Sequence, residues 1–231
     1  HDFTDFYYSQ GKFDLQYVLT WGNTWAEYGG DQAIADWDNF YNTVYGSNLN
    51  NAANYQNLTD QLDISSLADY VITNSFTVCS DWLNYNTGWW RGLNPEGTHQ
   101  KWGYILWDND ATFGHYINYT GIPDTTPYAE PCDVETLVEP WPDINGHMRL
   151  LTKLRLNPEF DQYYVTRQAD LMSTVFSCEN MLNYLDSIVN TIGPEMPRHI
   201  QRWGGSMQEW EQNVDKLRDF ITIRCNELPD G

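Results

Sequence analysis

The stretch ILWDNDATFG, residues 105–114, runs from apolar residues into Asp108 and Asp110, and the earlier stretch SDWLNYN, residues 80–86, carries Asp81 with Asn86 five positions after it. Phosphoryl transfer asks little covalent help of a protein. It needs one carboxylate to orient the attacking hydroxyl and accept its proton, and oxygen ligands for a divalent cation that neutralises the phosphates. Asp81 suits the first task, and Asn86, Asp108 and Asp110 suit the second. Asp-x-x-x-x-Asn alone has no specificity, so its weight comes from its neighbours. Arg91 and Lys101, between the two stretches, are candidates to touch phosphate, although an exposed basic residue is most often simply solvated.

Rival chemistries can be read from the same letters. Asp108, Asp110 and Thr112 stand at the first, third and fifth positions of a calcium loop, but Gly114 comes one place late and Tyr119 occupies the twelfth position, where a bidentate Glu is needed. That excludes an EF-hand and leaves at most a single structural calcium site. Two carboxylates also serve glycosidases as acid and base, a reading that the aromatic abundance suits but in which Asn86 has no task. His1 at the start invites a copper site, but a second ligand among His99, His115, His147 and His199 has no pattern to recommend it.

Elements must deliver these side chains to one place. Ile34, Trp37, Tyr41 and Val44 predict one face of a helix over 31–45, which GSNLNNAANY then breaks. Leu67, Tyr70, Val71 and Asn74 predict a second helix over 64–76, capped by Ser65 and running straight towards Asp81. TGWWRG and KWGYILW, separated by LNPEGTHQ with its turn residues Asn94, Pro95 and Gly97, predict a β-hairpin over 87–107. The hairpin returns the chain to Asp108, and Trp89, Trp90, Trp102 and Trp107 read as its packing residues.

Outside this segment, residues 1–30 read as an irregular lead-in, with FDLQYVL open to a strand, and 118–144, holding Pro123, Pro127, Pro131, Pro140 and Pro142, as a long loop. From residue 145 the chain reads as a helical block: GHMRLLTKLRL, then a helix after Pro158, then CENMLNYLDSIVNTI, and a last helix after Gly204 and Gly205. Trp203, Trp210 and Phe220 read as structure in that block, and Arg224 as a buried ion-pair partner. The fold class is α+β in a single domain.

The totals limit the partners. A chain of 231 residues with 41% hydrophobic content can bury a core, and a formal charge of -20 repels nucleic acid and anionic membranes. An anionic substrate therefore needs divalent cations as a bridge. No run of 18 apolar residues marks a transmembrane helix, and the first residues lack the pattern of a signal peptide. Cys79, Cys132, Cys178 and Cys225 contain no C-x-x-C pair. Pairing Cys178 with Cys225 across the helical block would leave Cys79 with Cys132, while sequence alone permits three arrangements. The even cysteine count, the low lysine content and the glycosylation patterns at Asn57 and Asn118 lean towards an extracellular or cell-surface protein.

The order of parts, an Asp-x-x-x-x-Asn loop, a hairpin and then a further Asp, is that of the protein-kinase catalytic loop and its metal-binding Asp. CSDWLNYNTGWWRG, HQKWGYILWDNDATFG and WGGSMQEWEQNVDKLRDFITIRCNEL resemble the CotH kinase family, named for spore coat protein H, over roughly residues 30–228. The resemblance implies a protein-kinase-like fold, here mostly the α-rich C-terminal lobe with a short β-hairpin at the active site. It also implies a secreted or surface-associated atypical kinase that uses ATP and Mg2+ to phosphorylate Ser or Thr of proteins. Carried over, Asp81 is the catalytic Asp and Asp108 the metal Asp, with Asn86 and Asp110 assisting. Family members carry an amino-terminal β-rich portion with a lysine-containing strand over the nucleotide. Lys12, the one Lys or Arg in the first ninety residues, has no such motif around it, so the chain reads as starting after that lobe. The reading from a different class is a noncatalytic extracellular module that binds carbohydrate or protein on a kinase-like scaffold.

Overall fold

The computed structural model describes residues 15–115, 118, 122–130 and 143–227. The expectations placed on His1, Lys12, Cys132 and most of the proline-rich loop lie outside these residues.

Within the lead-in, where FDLQYVL is open to a strand, residues 15–28 form an antiparallel pair, β1 (Leu15–Trp21) and β2 (Asn23–Tyr28). Gly22, at φ +73, makes the turn between them, a conformation that a side chain would strain. The expected hairpin forms as β3 (Thr87–Gly92) and β4 (Gly103–Ile105), and β3 pairs antiparallel with β1 to give a four-stranded sheet of order β2-β1-β3-β4. β1 is covered on both faces. Leu15, Tyr17 and Leu19 pack with Trp90 on one side, while Val18 joins Trp89, Trp102 and Tyr104 in the main core on the other. That is why Tyr17, Val18 and Leu19 read as a continuous apolar run rather than an alternating one.

Helices cover the core face. In α1 (Gly30–Gly46) the buried side chains are Ala33, Trp37, Phe40 and Val44. Ile34 and Tyr41, expected on the inner face, are only partly buried, so the stripe is rotated from the one expected. Trp37 lies at the centre, with its ring centroid 5.3 Å from that of Trp89 and 5.5 Å from those of Trp102 and His147. α2 (Ala52–Thr59) falls where no helix was expected. The Asn51 side chain caps it by accepting from the Ala53 and Asn54 amides, and Leu58 is its one buried side chain. α3 (Ile64–Thr77) is capped by Asp63, two residues before the expected Ser65, and buries Leu67, Tyr70, Val71 and Asn74 as their spacing required.

The helical block comprises α4 (His147–Arg155), α5 (Pro158–Ser173), α6 (Cys178–Ile192), α7 (Met196–Trp203) and α8 (Met207–Glu227). Asp143 caps α4 through three amides, those of His147, Met148 and Arg149. Gly146, at φ +77, lies so close to Tyr41 that an added Cβ would sit 2.3 Å from its ring. The Cys178–Cys225 disulfide joins α6 to α8. Trp203, expected as a packing residue, is 70% exposed with the Arg202 guanidinium 4.9 Å above its ring. Among the described residues no helix is long and apolar enough to cross a membrane.

Candidate active site

α3 delivers the site. Its last turn is buried from Asn74 to Thr77, and the chain leaves it through Val78 in the left-handed conformation. Two loops are then laced together: the Ser80 amide donates to the Ala111 carbonyl at 2.8 Å and the Phe113 amide to the Thr77 carbonyl at 2.7 Å. The turn of β1 and β2 joins them, because the Gly22 amide donates to the Asn84 carbonyl at 2.7 Å. Thr87 shapes the first loop. Its buried hydroxyl accepts from the Leu83 amide at 3.1 Å and donates to the Tyr85 carbonyl at 3.2 Å.

The five non-glycine residues with positive φ among those described are Val78, Leu83, Asn86, Asp108 and Phe113. All belong to these two loops. Left-handed backbone costs a β-carbon-bearing residue on the order of 1–2 kcal/mol and persists where surrounding contacts impose it. Strain gathered in one place is the mark of a functional site rather than of general loop irregularity.

The Asp81 carboxylate is 5% exposed. Its Oδ2 accepts from Asn86 Nδ2 at 2.7 Å and its Oδ1 from the buried Cys79 thiol at 3.3 Å. Burial pushes the Asp81 carboxyl above its ordinary range; the Cys79 and Asn86 hydrogen bonds pull it back, and the charges of Asp110 and Asp108 push it up. Asn86 Nδ2 also faces the Asp108 backbone carbonyl at 3.4 Å. One amide thus spans the two acidic stretches.

That span decides which way the Asn86 amide points. Both neighbours of Nδ2 are acceptors, so the nitrogen must face them, and the oxygen is turned away. Oδ1 is buried with no hydrogen-bond partner, which normally costs about 1–3 kcal/mol. A hard cation would relieve it. The Asp108 and Asp110 side chains are exposed beside this oxygen's loop. Among the described residues no group of three or more His, Cys, Asp or Glu side chains is gathered closely enough to form a metal centre. An amide oxygen with one or two carboxylates suits Mg2+, which keeps several waters and takes the rest of its shell from substrate phosphates. The residues present therefore fit a nucleotide-borne Mg2+ better than a metal caged by protein alone.

Asp81, Asn86, Asp108 and Asp110 come together, whereas Arg91 and Lys101 stand at the opposite end of the hairpin. Arg91 is engaged elsewhere: it donates to Asp36 at 2.9 Å and to Gln16 at 2.8 Å, and its guanidinium lies 4.7 Å from the centre of the Trp102 ring. Lys101 is exposed in the connecting loop. Three supporting residues escaped the sequence reading. Cys79 and Thr87 are types too common to signal a role, and Asn74, read only as a helix-face residue, accepts from Asn109 Nδ2 at 3.3 Å and so ties α3 to the second loop. Cys79 is a free, buried thiol, and its suggested partner Cys132 lies outside the described residues.

A helix feeding an Asp-to-Asn loop, an antiparallel hairpin, and a further Asp brought back beside the first, all on an α+β scaffold, define a kinase-like protein. A family profile described as CotH kinase protein matches residues 8–228, nearly the whole length, and the chain belongs to that family. No curated protein matches the chain closely enough to count as a relative.

Proposed function

We propose that this protein transfers the γ-phosphoryl group of ATP to Ser or Thr hydroxyls of an acceptor protein, with Mg2+, outside the cell or at its surface. The observation that carries the proposal is the Asn86 side chain, whose nitrogen joins the Asp81 carboxylate to the Asp108 carbonyl and whose oxygen is buried with no hydrogen-bond partner. Asn86, Asp108 and Asp110 would hold Mg2+, and the ion would supply the charge neutralisation at the phosphates that a chain of charge -20 does not favour. Asp81, with its raised proton affinity, orients the acceptor hydroxyl and takes its proton as the oxygen attacks. The described residues then correspond to the α-rich lobe with its active-site hairpin. The Cys178–Cys225 disulfide supports an oxidising compartment.

The test is transfer of label from γ-labelled ATP to a Ser/Thr-rich acceptor protein and to the chain itself. Asp81→Asn should lower the rate by about 100-fold or more while ATP still binds, because a general base contributes on the order of 10²–10⁴. Transfer that proceeds unchanged in Asp81→Asn would remove Asp81 from the reaction.

A further inference from the structure

The second loop does not end its work at Asp110. Asn109, Asp110 and residues 112–115 form one wall of a groove of about 450 Å³, whose other walls include Ile188 and Ile192 of α6 and Trp210, Val214 and Leu217 of α8. Phe113 forms part of the loop's wall, fixed by the hydrogen bond its amide donates to the Thr77 carbonyl and by an edge-on contact with Phe220 at 5.8 Å between ring centres. We propose that this groove seats an apolar side chain of the acceptor polypeptide, close in sequence to the hydroxyl that is phosphorylated; the inference rests on the phosphotransferase reading above.

Four observations lead there. The groove is preformed: the disulfide and the Arg218–Asp186 ion pair hold α6 and α8 together, so no helix need move to open it. Its solvent-reached surface is largely apolar, with Ile188 40% and Ile192 42% exposed, while Asp110, Asn213 and Lys216 stand at its rim. It is continuous with the site, because Asn109 and Asp110 line it and the Asp110 charge acts on Asp81. A residue seated in the groove therefore leaves its chain neighbours beside the proton-accepting carboxylate.

Charge selects among occupants. Lys216 also lines the groove, but on a chain of charge -20 Asp110 there, with Asp108 and Asp81 beyond it, repels an anionic headgroup or a nucleic acid. An apolar side chain on a neutral or basic polypeptide meets both the apolar walls and the acidic mouth. Burying one such side chain favours binding, which makes it a selective contact.

A Ser-centred positional-scanning peptide library, phosphorylated with ATP and Mg2+, tests this. The wild-type protein should prefer Leu, Ile or Phe over Asp by about tenfold at one position near the Ser, and the Ile188→Asp/Ile192→Asp double variant should lose that preference. Both positions are partly solvated, so the variant should fold, which its melting temperature checks; Val214→Asp repeats the test from the other wall. A wild-type profile that is flat in apolar residues, or a preference that survives both variants, overturns the proposal. Dimerisation of the wild type that both variants abolish overturns it too, by giving the groove to a second copy. Failure of the wild type to bind ATP with Mg2+ would instead remove the phosphotransferase reading, and this inference with it.

Discussion

Asp81 and His147 are both buried, and burial moves their proton affinities in opposite directions. The Asp81 carboxyl is raised towards a working base, whereas the His147 imidazole, sealed against Trp37 and Trp89 with its Nδ1 2.8 Å from the Tyr104 hydroxyl, is pushed down to about 4. Asp143 opposes that shift only in part. His147 therefore stays neutral in the folded protein while the unfolded chain takes up its proton near 6.5. The unfolded state binds more protons in this window, so stability is present above about 6.5 and falls as pH drops towards 4, by roughly 3 kcal/mol in all. Urea midpoints at neutral pH and near pH 4 should show the loss, and His147→Asn should flatten that part of the profile. An unchanged slope in the variant would place the acid sensitivity elsewhere. Asp81 and Asn86 were legible in the sequence because they lie within one short loop. The roles of Cys79 and Thr87 were not, since a thiol or hydroxyl gains its meaning only when folding aims it at a carboxylate or an amide.

Elements were legible where apolar spacing and turn chemistry agreed. The Leu67, Tyr70, Val71 and Asn74 spacing gave α3, and Asn94, Pro95 and Gly97 gave the hairpin. α2 buries only Leu58 and has no apolar stripe to announce it, while α7, with Met196, Ile200 and Trp203 at helical spacing, buries none of its residues and lies between prolines and glycines that read as loop. Arg224 is the instructive exception. A buried arginine was expected to face an acid, yet this one, 0% exposed on α8, donates to the carbonyls of Ser75 and Phe76 at 2.7 and 2.9 Å, to Pro127 at 3.2 Å and to Ala129. Burial pulls its guanidinium down to about 10, while Glu130 and Asp124 oppose the shift. Arg224 thus caps the end of α3 from another helix and supports the turn into Asp81. Arg224→Ala strips partners from several carbonyls and should cost about 3–5 kcal/mol in urea denaturation; Arg224→Lys, lacking the planar fork, should recover only part. A loss under about 1 kcal/mol would show that water replaces the cap without cost.

At the scale of the whole molecule, the sheet, α3 and the helical block bring two acidic stretches together in a chain of charge -20. Such a surface cannot hold a triphosphate by cations of its own, and the basic residues nearest in sequence, Arg91 and Lys101, stand at the far end of the hairpin. On the proposed function, nucleotide affinity depends on Mg2+ and on the residues that would bind it. Calorimetry of ATP binding, with and without Mg2+, on the wild type and on Asp108→Ala tests this most directly. Heat of binding that appears for the wild type only with Mg2+ and is lost in Asp108→Ala, with a cooperative melt showing that the variant is folded, is the expected result. Binding of equal strength in both proteins, or binding indifferent to Mg2+, would contradict it.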